Sequence, residues 1–201
     1  DSGDQQWRFE TGEVVDSSPT VVDGVVYVAS NDAGVYALDA SDGTQQWRFE
    51  TSDIAEVTPA VVDGTVYATD RAGNVYAIDA SDGTQQWRFT ADDAVTTSPA
   101  VANGTVYVGS LDVYALDDET GSQRWVFEDS GPIHESSPAV ADATVYLGSF
   151  DNNVYALDAE TGDQRWRFET GDSVSSAPAV VDGVVYVGSD DDYVYALAAD
   201  S

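Results

Sequence analysis

A block of about 40 residues recurs five times along this chain and accounts for all of its 201 residues. One tryptophan marks each block. These are Trp7, Trp47, Trp87, Trp125 and Trp166. A repeat of this length is one supersecondary unit, and it buries its apolar face only by stacking against its neighbours. The sequence therefore predicts one repeat domain over residues 1–201, with no linker and no second domain.

Each block carries the sequence marks of four β-strands, and helical periodicity is absent. Asp-Gly or Asn-Gly separates the first two β-rich runs in four of the blocks, and this dipeptide is the strongest short hairpin signal. The fourth block has Asp142-Ala143 at that point, so its turn must differ in type or carry strain. Five four-stranded meanders arranged radially make a β-propeller.

The hairpin between the third and fourth strands sets which side chains share a face of each sheet. If the first of these hairpins is centred on its Asp-Gly turn, Leu38 lies opposite Trp47 and Tyr36 lies opposite Phe49. Since directly opposed residues lie on one face, this register predicts that all four side chains point to the same side.

The two ends of the chain have complementary positions in the repeat. The chain opens with a fourth-strand pattern at residues 5–9 and closes with a third-strand pattern at residues 194–197. Pairing these two segments would complete the last blade and remove two exposed strand edges. The predicted fold is thus all-β, a five-bladed β-propeller of four-stranded antiparallel blades, closed by the N-terminal strand completing the last blade.

The charge of the chain is extreme. Thirty-seven acidic and seven basic residues give a formal net charge of −30, while 42% of the residues are hydrophobic, enough to build a core. Such a field repels phosphate backbones, so we expect no nucleic-acid partner. Molar salt shortens the Debye length to about 3 Å and screens carboxylate repulsion. We therefore expect adaptation to high salt, with a binding face for cations or basic partners as the alternative.

The residues offer little for catalysis or metal binding. The chain has no cysteine, which excludes disulfides, zinc-cysteine sites and thiol chemistry. Nearly every aspartate belongs to a repeated turn, and the Asp190–Asp192 run lacks EF-hand spacing, so calcium is conceivable there but unsupported. His134, the single histidine, has no nucleophile that the sequence can pair with it. We expect no enzyme activity, no metal and no cofactor.

The run Val35–Asp39, followed by Gly43 and then by Trp47-Arg48-Phe49, resembles the repeat of pyrroloquinoline-quinone (PQQ)-type propellers. The resemblance covers the whole chain and is combined with an acidic composition of the haloarchaeal type. It implies that the five tryptophans dock neighbouring blades. The family includes quinoprotein alcohol dehydrogenases and an outer-membrane assembly lipoprotein whose propeller is not an enzyme, and its propellers usually carry seven or eight blades.

The resemblance also bears on location and activity. It implies an extracellular or cell-surface location, with a haloarchaeal cytoplasm as the alternative. The dehydrogenases of the family use a vicinal cysteine pair beside the quinone, so PQQ is not expected in this cysteine-free chain. No apolar run is long enough for a membrane helix.

Departures from the repeat are the best candidates for function, because identical positions carry structure. Most of them fall in the loops that join the second strand to the third and one blade to the next, which share one face of a propeller. The candidate binding residues on this irregular face are Arg71, Leu111, Ile133, His134, Phe150 and Tyr193. The sequence thus predicts a non-catalytic scaffold or protein-interaction module. A glycan-binding, lectin-like propeller is the alternative, followed by a fragment of a quinoprotein-type dehydrogenase.

Overall fold

The computed structural model describes residues 3–199, and within this range the regular structure is β, in five antiparallel sheets that we call blades 1–5. Blade 1 consists of β1 (Thr20–Val22), β2 (Val25–Ser30), β3 (Gly34–Asp39) and β4 (Gln45–Glu50). Blade 2 consists of β5 (Ala60–Val62), β6 (Thr65–Thr69), β7 (Asn74–Asp79) and β8 (Gln85–Thr90). Blade 3 consists of β9 (Ala100–Ala102), β10 (Thr105–Gly109), β11 (Val113–Asp117) and β12 (Gln123–Phe127).

Blade 4 consists of β13 (Ala139–Ala141), β14 (Thr144–Gly148), β15 (Asn153–Asp158) and β16 (Gln164–Glu169). Blade 5 has three strands, β17 (Ala179–Val181), β18 (Val184–Gly188) and β19 (Val194–Ala198). The first strands of successive blades contact one another, so they line the axis of a propeller-like arrangement. The all-β prediction is confirmed. Over residues 3–199 the structure has no helix long and apolar enough to cross a membrane.

The turn between the first two strands keeps one conformation in all five blades. Asp23 and Gly24 have φ values of 50° and 79°, and both central residues of a type I′ turn require positive φ. Asp142 and Ala143 reach 47° and 58° in blade 4. The turn type is therefore unchanged, and the alanine carries the strain that the sequence allowed for.

The predicted register of the third hairpin is wrong by one residue. Trp47 lies opposite Ala37, and Leu38 lies opposite Gln45, because a β-bulge interrupts the ladder between Ala37 and Leu38. An extra residue on one strand moves every later side chain to the other face. As a result Tyr36 and Leu38 point away from Trp47.

Each blade thus has two different packing faces. The forward face, toward the next blade, carries Tyr27, Val35 and Trp47 in blade 1. It packs on the backward face of blade 2, which includes Tyr76 and Ile78. Equivalent clusters join blades 2 and 3, blades 3 and 4, and blades 4 and 5. Since a fully buried large apolar side chain contributes about 1.5–3 kcal/mol, these interfaces supply most of the apolar stabilisation.

Each tryptophan makes the same contact with the following blade. The indole Nε1 of Trp47 donates to the carbonyl oxygen of Ala80 at 2.9 Å, and its ring lies over Gly83. Trp7, Trp87, Trp125 and Trp166 make the corresponding hydrogen bonds at 2.8–3.1 Å. The turn between the third and fourth strands is thus a landing point for the preceding tryptophan as well as a hairpin.

The structure does not show the closed ring that the sequence predicts. β19 pairs with β18 alone among the described strands, and residues 3–10 belong to no strand. Trp7 instead docks on blade 1, donating to the Ala40 carbonyl and packing with Val28 and Tyr36. The N-terminal segment therefore lies where the fourth strand of a preceding blade would lie. The angle between blades follows from their packing, and the five sheets are not closed at this angle.

Candidate interaction face

One position in each blade meets the loop that enters the blade from its predecessor. The residue just after the second strand donates its backbone N–H to that loop, for example Arg71 to Ile54 at 3.0 Å and Phe150 to Pro132 at 3.1 Å. Asn31 and Asp190 make the same bond in blades 1 and 5. The backbone geometry is thus shared, and the side chain at this position is free to vary.

The side chain at this position pairs with a chemically different partner in each of four blades. Asn31 Nδ2 donates to Asp16 Oδ2 at 2.8 Å in blade 1. Arg71 makes a two-pronged contact with Glu56 in blade 2, with Nε···Oε1 at 2.9 Å and Nη2···Oε2 at 2.5 Å.

The pairs in blades 4 and 5 are different again. Phe150 meets the His134 ring edge-on in blade 4, with centroids 5.4 Å apart. In blade 5 the Ser175 hydroxyl donates to Asp190 at 3.1 Å. We call the surface formed by these four pairs the variable-pair face.

Leu111 and Tyr193 extend this surface in the neighbouring loops. Leu111 is exposed in the shortened loop of blade 3. Tyr193 is exposed in blade 5, three residues beyond Asp190, with its ring centroid 6.3 Å from that of Tyr195. Together with Arg71, His134 and Phe150, they place five of the six predicted residues in the loops of one face.

Ile133 does not belong to this surface, because its side chain is fully buried. The extra residue of the fourth block is Glu135, which has a left-handed φ of 68°. This bulge carries the insertion and keeps Ile133 in the core, where it lies over Gly109 as Val174 lies over Gly148. The sequence showed that a residue had been gained but could not show which one leaves the regular path.

A polar groove of about 520 Å³ runs beside these pairs at the axis. Its charged lining comes from Asp16, Glu56, Glu135 and Arg71, and the rest is largely serine and threonine. The guanidinium of Arg71 is already paired with Glu56, so the groove retains a negative character. Chemically it suits cationic or hydroxyl-rich groups better than anions.

A set of aspartate–tyrosine pairs supports the loops of this face, and sequence reasoning missed it. Tyr36 donates to Asp32 at 2.5 Å, and Tyr195 donates to Asp191 at 2.6 Å. The Tyr195 hydroxyl holds the pKa of Asp191 below its usual range, and the same bond raises the pKa of the tyrosine. An aspartate four residues before the tyrosine was the available signal, but it was interpreted as turn chemistry.

Blade 2 has a buried version of this support. Asp70 accepts hydrogen bonds from the Asn74 amide, the Tyr76 hydroxyl and the Ser52 N–H at 2.8–3.1 Å. Arg88 donates to the Asn74 oxygen at 2.6 and 2.9 Å, which leaves the network fully connected. Buried polar groups are stable when satisfied in this way, so the network fixes the loop that presents Arg71.

The described residues contain no cluster of three or more His, Asp or Glu side chains that could hold a metal ion. In the Asp190–Asp192 run, Asp190 and Asp191 are engaged in loop hydrogen bonds. The residues present therefore do not fit the calcium and quinone site that the resemblance would imply.

These features define a class, a propeller-type repeat protein whose blades are joined by tryptophan docking. The chain belongs to the family described as outer membrane protein assembly factor BamB, whose sequence model matches residues 1–61, 52–137 and 110–201. The resemblance to PQQ-type propellers is thereby confirmed. Among curated proteins, none matches the sequence.

Solved structures share the fold over nearly the whole chain. BamB from Moraxella catarrhalis superposes with a TM-score of 0.82 at 20% identity, covering 96% of this chain and 61% of its own. The quinohemoprotein alcohol dehydrogenase ADHIIG from Pseudomonas putida HK5 gives a TM-score of 0.78 at 24% identity, covering 96% and 42%. The quinohemoprotein alcohol dehydrogenase from Comamonas testosteroni gives 0.80 at 20%, covering 97% and 43%. At these identities the likeness concerns the fold alone, and the chain spans less than two thirds of each structure.

Proposed function

We propose that this chain is a non-catalytic interaction module that binds a protein partner on its variable-pair face. The observation that supports this is the change of side-chain chemistry at one repeated position. Amide–carboxylate, guanidinium–carboxylate, aromatic–imidazole and hydroxyl–carboxylate pairs occupy the same place in four blades. The turn on the opposite face keeps one conformation throughout. A surface that is varied on a constant frame is typical of a recognition site.

The chemistry of the surface favours a particular kind of partner. Exposed aromatic groups at Phe150 and Tyr193 lie beside a negatively charged groove. Aromatic anchors carry much of the binding energy at protein interfaces, and acidic rims attract basic segments. The partner segment should therefore combine an apolar anchor with arginine or lysine.

The proposal includes the solvent, the location and the lack of catalysis. The net charge of −30 supports function in molar salt, where that charge is screened. The family description, which concerns outer membrane assembly, supports an extracellular or cell-surface location. The absence of cysteine from the chain and the engaged aspartates support a role without quinone, metal or catalysis.

Peptide-display selection on the immobilised protein in molar KCl tests the proposal. Enriched peptides are then titrated against the wild type, the double variant Phe150→Ala with Tyr193→Ala, and the control Phe168→Ala. Phe150 and Phe168 are 39% and 36% exposed, so the control removes an equally accessible ring from β16. We expect affinity to fall about 30-fold in the double variant, the loss of about 2 kcal/mol that defines a hot spot.

Two results would contradict this function. One is a set of selected peptides that bind both variants as tightly as the wild type. The other is saturable binding of a simple glycan at about five equivalent sites, which would support the lectin-like alternative.

A further inference from the structure

The forward face of blade 5 is uncovered. Val194 is 80% exposed, whereas the equivalent Val154 of blade 4 is fully buried. Tyr186 is 44% exposed, whereas its counterpart Tyr27 in blade 1 is 4% exposed. The outer edge of β19 has no strand beside it within residues 3–199. An apolar face next to a free edge is a template for strand addition.

The four complete blades show what fits such a face. In blade 1 the fourth strand places Trp47 opposite Ala37 and Phe49 opposite Val35. In blade 4, Trp166 and Phe168 lie opposite Ala156 and Val154 in the same register. Blade 5 presents the same two receiving positions, at Ala196 and Val194. The matching ligand is therefore an extended segment with tryptophan and phenylalanine two residues apart.

The middle residue of that segment also has a receiving group. In blade 1, Arg48 Nε donates to the Tyr36 hydroxyl at 3.0 Å, and Nη2 lies 3.8 Å from Asp32. Blade 5 has the equivalent pair, Tyr195 and Asp191, joined at 2.6 Å. An arginine between the tryptophan and the phenylalanine would therefore meet a carboxylate already held in position.

The chain itself contains such a segment. Residues 5–9 read Gln-Gln-Trp-Arg-Phe, identical to residues 45–49 of β4. In the structure this segment lies against the backward face of blade 1, held by Trp7 through the Ala40 carbonyl, without a strand beside it. It cannot reach β19 of its own chain in this open arrangement, so a ligand for β19 must come from another polypeptide.

We propose that the free edge of β19 and the forward face of blade 5 form an acceptor site for an extended Trp-Arg-Phe segment supplied by another polypeptide. The segment adds as an antiparallel fourth strand, with tryptophan opposite Ala196, arginine opposite Tyr195 and phenylalanine opposite Val194. Main-chain hydrogen bonds supply affinity, and the three side chains supply selectivity, as in other cases of strand addition. This site is separate from the variable-pair face and is independent of the function proposed there.

A fluorescent peptide with the sequence of residues 3–12 tests this site in trans, in molar KCl. The protein variants are Val194→Asp and the matched control Val21→Asp. Both valines are exposed, at 80% and 60%, so neither change disturbs a core, and Val21 lies in β1 at the other end of the chain. Peptides with tryptophan or arginine replaced by alanine leave the protein itself untouched.

We expect saturable binding in fluorescence anisotropy and new hydrogen-exchange protection of the β19 amides. Val194→Asp and the tryptophan-free peptide should each weaken binding at least tenfold, the arginine-free peptide severalfold, and Val21→Asp not at all. Self-association that Val194→Asp abolishes would identify a second copy as the donor at the same site. Absence of saturable binding, equal weakening by the two valine variants, or protection outside β19 would overturn the proposal.

Discussion

The docking of each tryptophan on the turn of the next blade can be tested with two glycines of blade 2. Gly64 and Gly83 have nearly the same left-handed φ, 78° and 77°. A methyl group added at Gly64 meets no atom within 4 Å, whereas one added at Gly83 lies 2.8 Å from Cδ2 of Trp47. Alanine in this conformation costs about 1–2 kcal/mol at either position. At Gly83 it also forces a rigid, buried indole to move, which adds about 1–3 kcal/mol of overpacking.

The difference between the two variants therefore isolates the contact between blades. For a domain of this size, 1 kcal/mol lowers the melting temperature by about 2–4 °C. An extra cost of about 2 kcal/mol means that Gly83→Ala should melt roughly 4–8 °C below Gly64→Ala. Scanning calorimetry in molar KCl measures both. In a Trp47→Leu background the extra loss should disappear, because the indole is gone.

Equal melting temperatures for the two glycine variants would refute this account of the interface. So would an extra loss at Gly83 that persists in the Trp47→Leu background, since the cause would then lie within the turn. A change in the slope of denaturant unfolding would show that a variant had altered the denatured state instead.

Four further predictions follow from individual contacts and from the charge. Ala143→Gly should raise the free energy of unfolding by about 1 kcal/mol in denaturant titration, because it relieves a positive φ in an unchanged turn. The Arg165 guanidinium lowers the pKa of Asp158 to about 2, so the stabilisation by this pair is complete above the unfolded-state pKa of about 4 and is lost as the pH falls through 2. Asp158→Asn should therefore melt below the wild type at pH 6 and equal to it at pH 2. Asp70→Ala should lower the free energy of unfolding by about 3 kcal/mol, since buried donors such as the Tyr76 hydroxyl lose their acceptor. Dilution from molar to millimolar salt should lower the melting temperature of the wild type, and an unchanged value would contradict salt adaptation.

The register of the third hairpin shows where prediction from sequence stops. The turn residues identified the hairpin correctly, but the bulge between Ala37 and Leu38 reversed the faces assigned to Tyr36 and Leu38. A bulge forms because the fourth strand must present its tryptophan to the next blade while the turn keeps its own hydrogen bonds. Nothing in the local pattern of alternation distinguishes the two registers.

The candidate site divides in a similar way. The sequence pointed to the correct loops, because departures from a repeat are visible without a structure. It could not pair the residues, since Arg71 and Glu56 lie 15 positions apart on loops of different strands. Ile133 was misplaced because an insertion can be absorbed at any of several residues, and the core selected Glu135 for the bulge.

The sequence by itself determined the number of repeats, the strands within each, the turn positions and the role of the tryptophans as blade contacts. These properties depend on residues close together in the chain and on a motif repeated five times. Only the tertiary structure decided which face each side chain takes, which loop residues meet, and that the five blades are not closed into a ring. The angle between blades is the sum of many contacts across their interfaces, and no single segment of the chain encodes it.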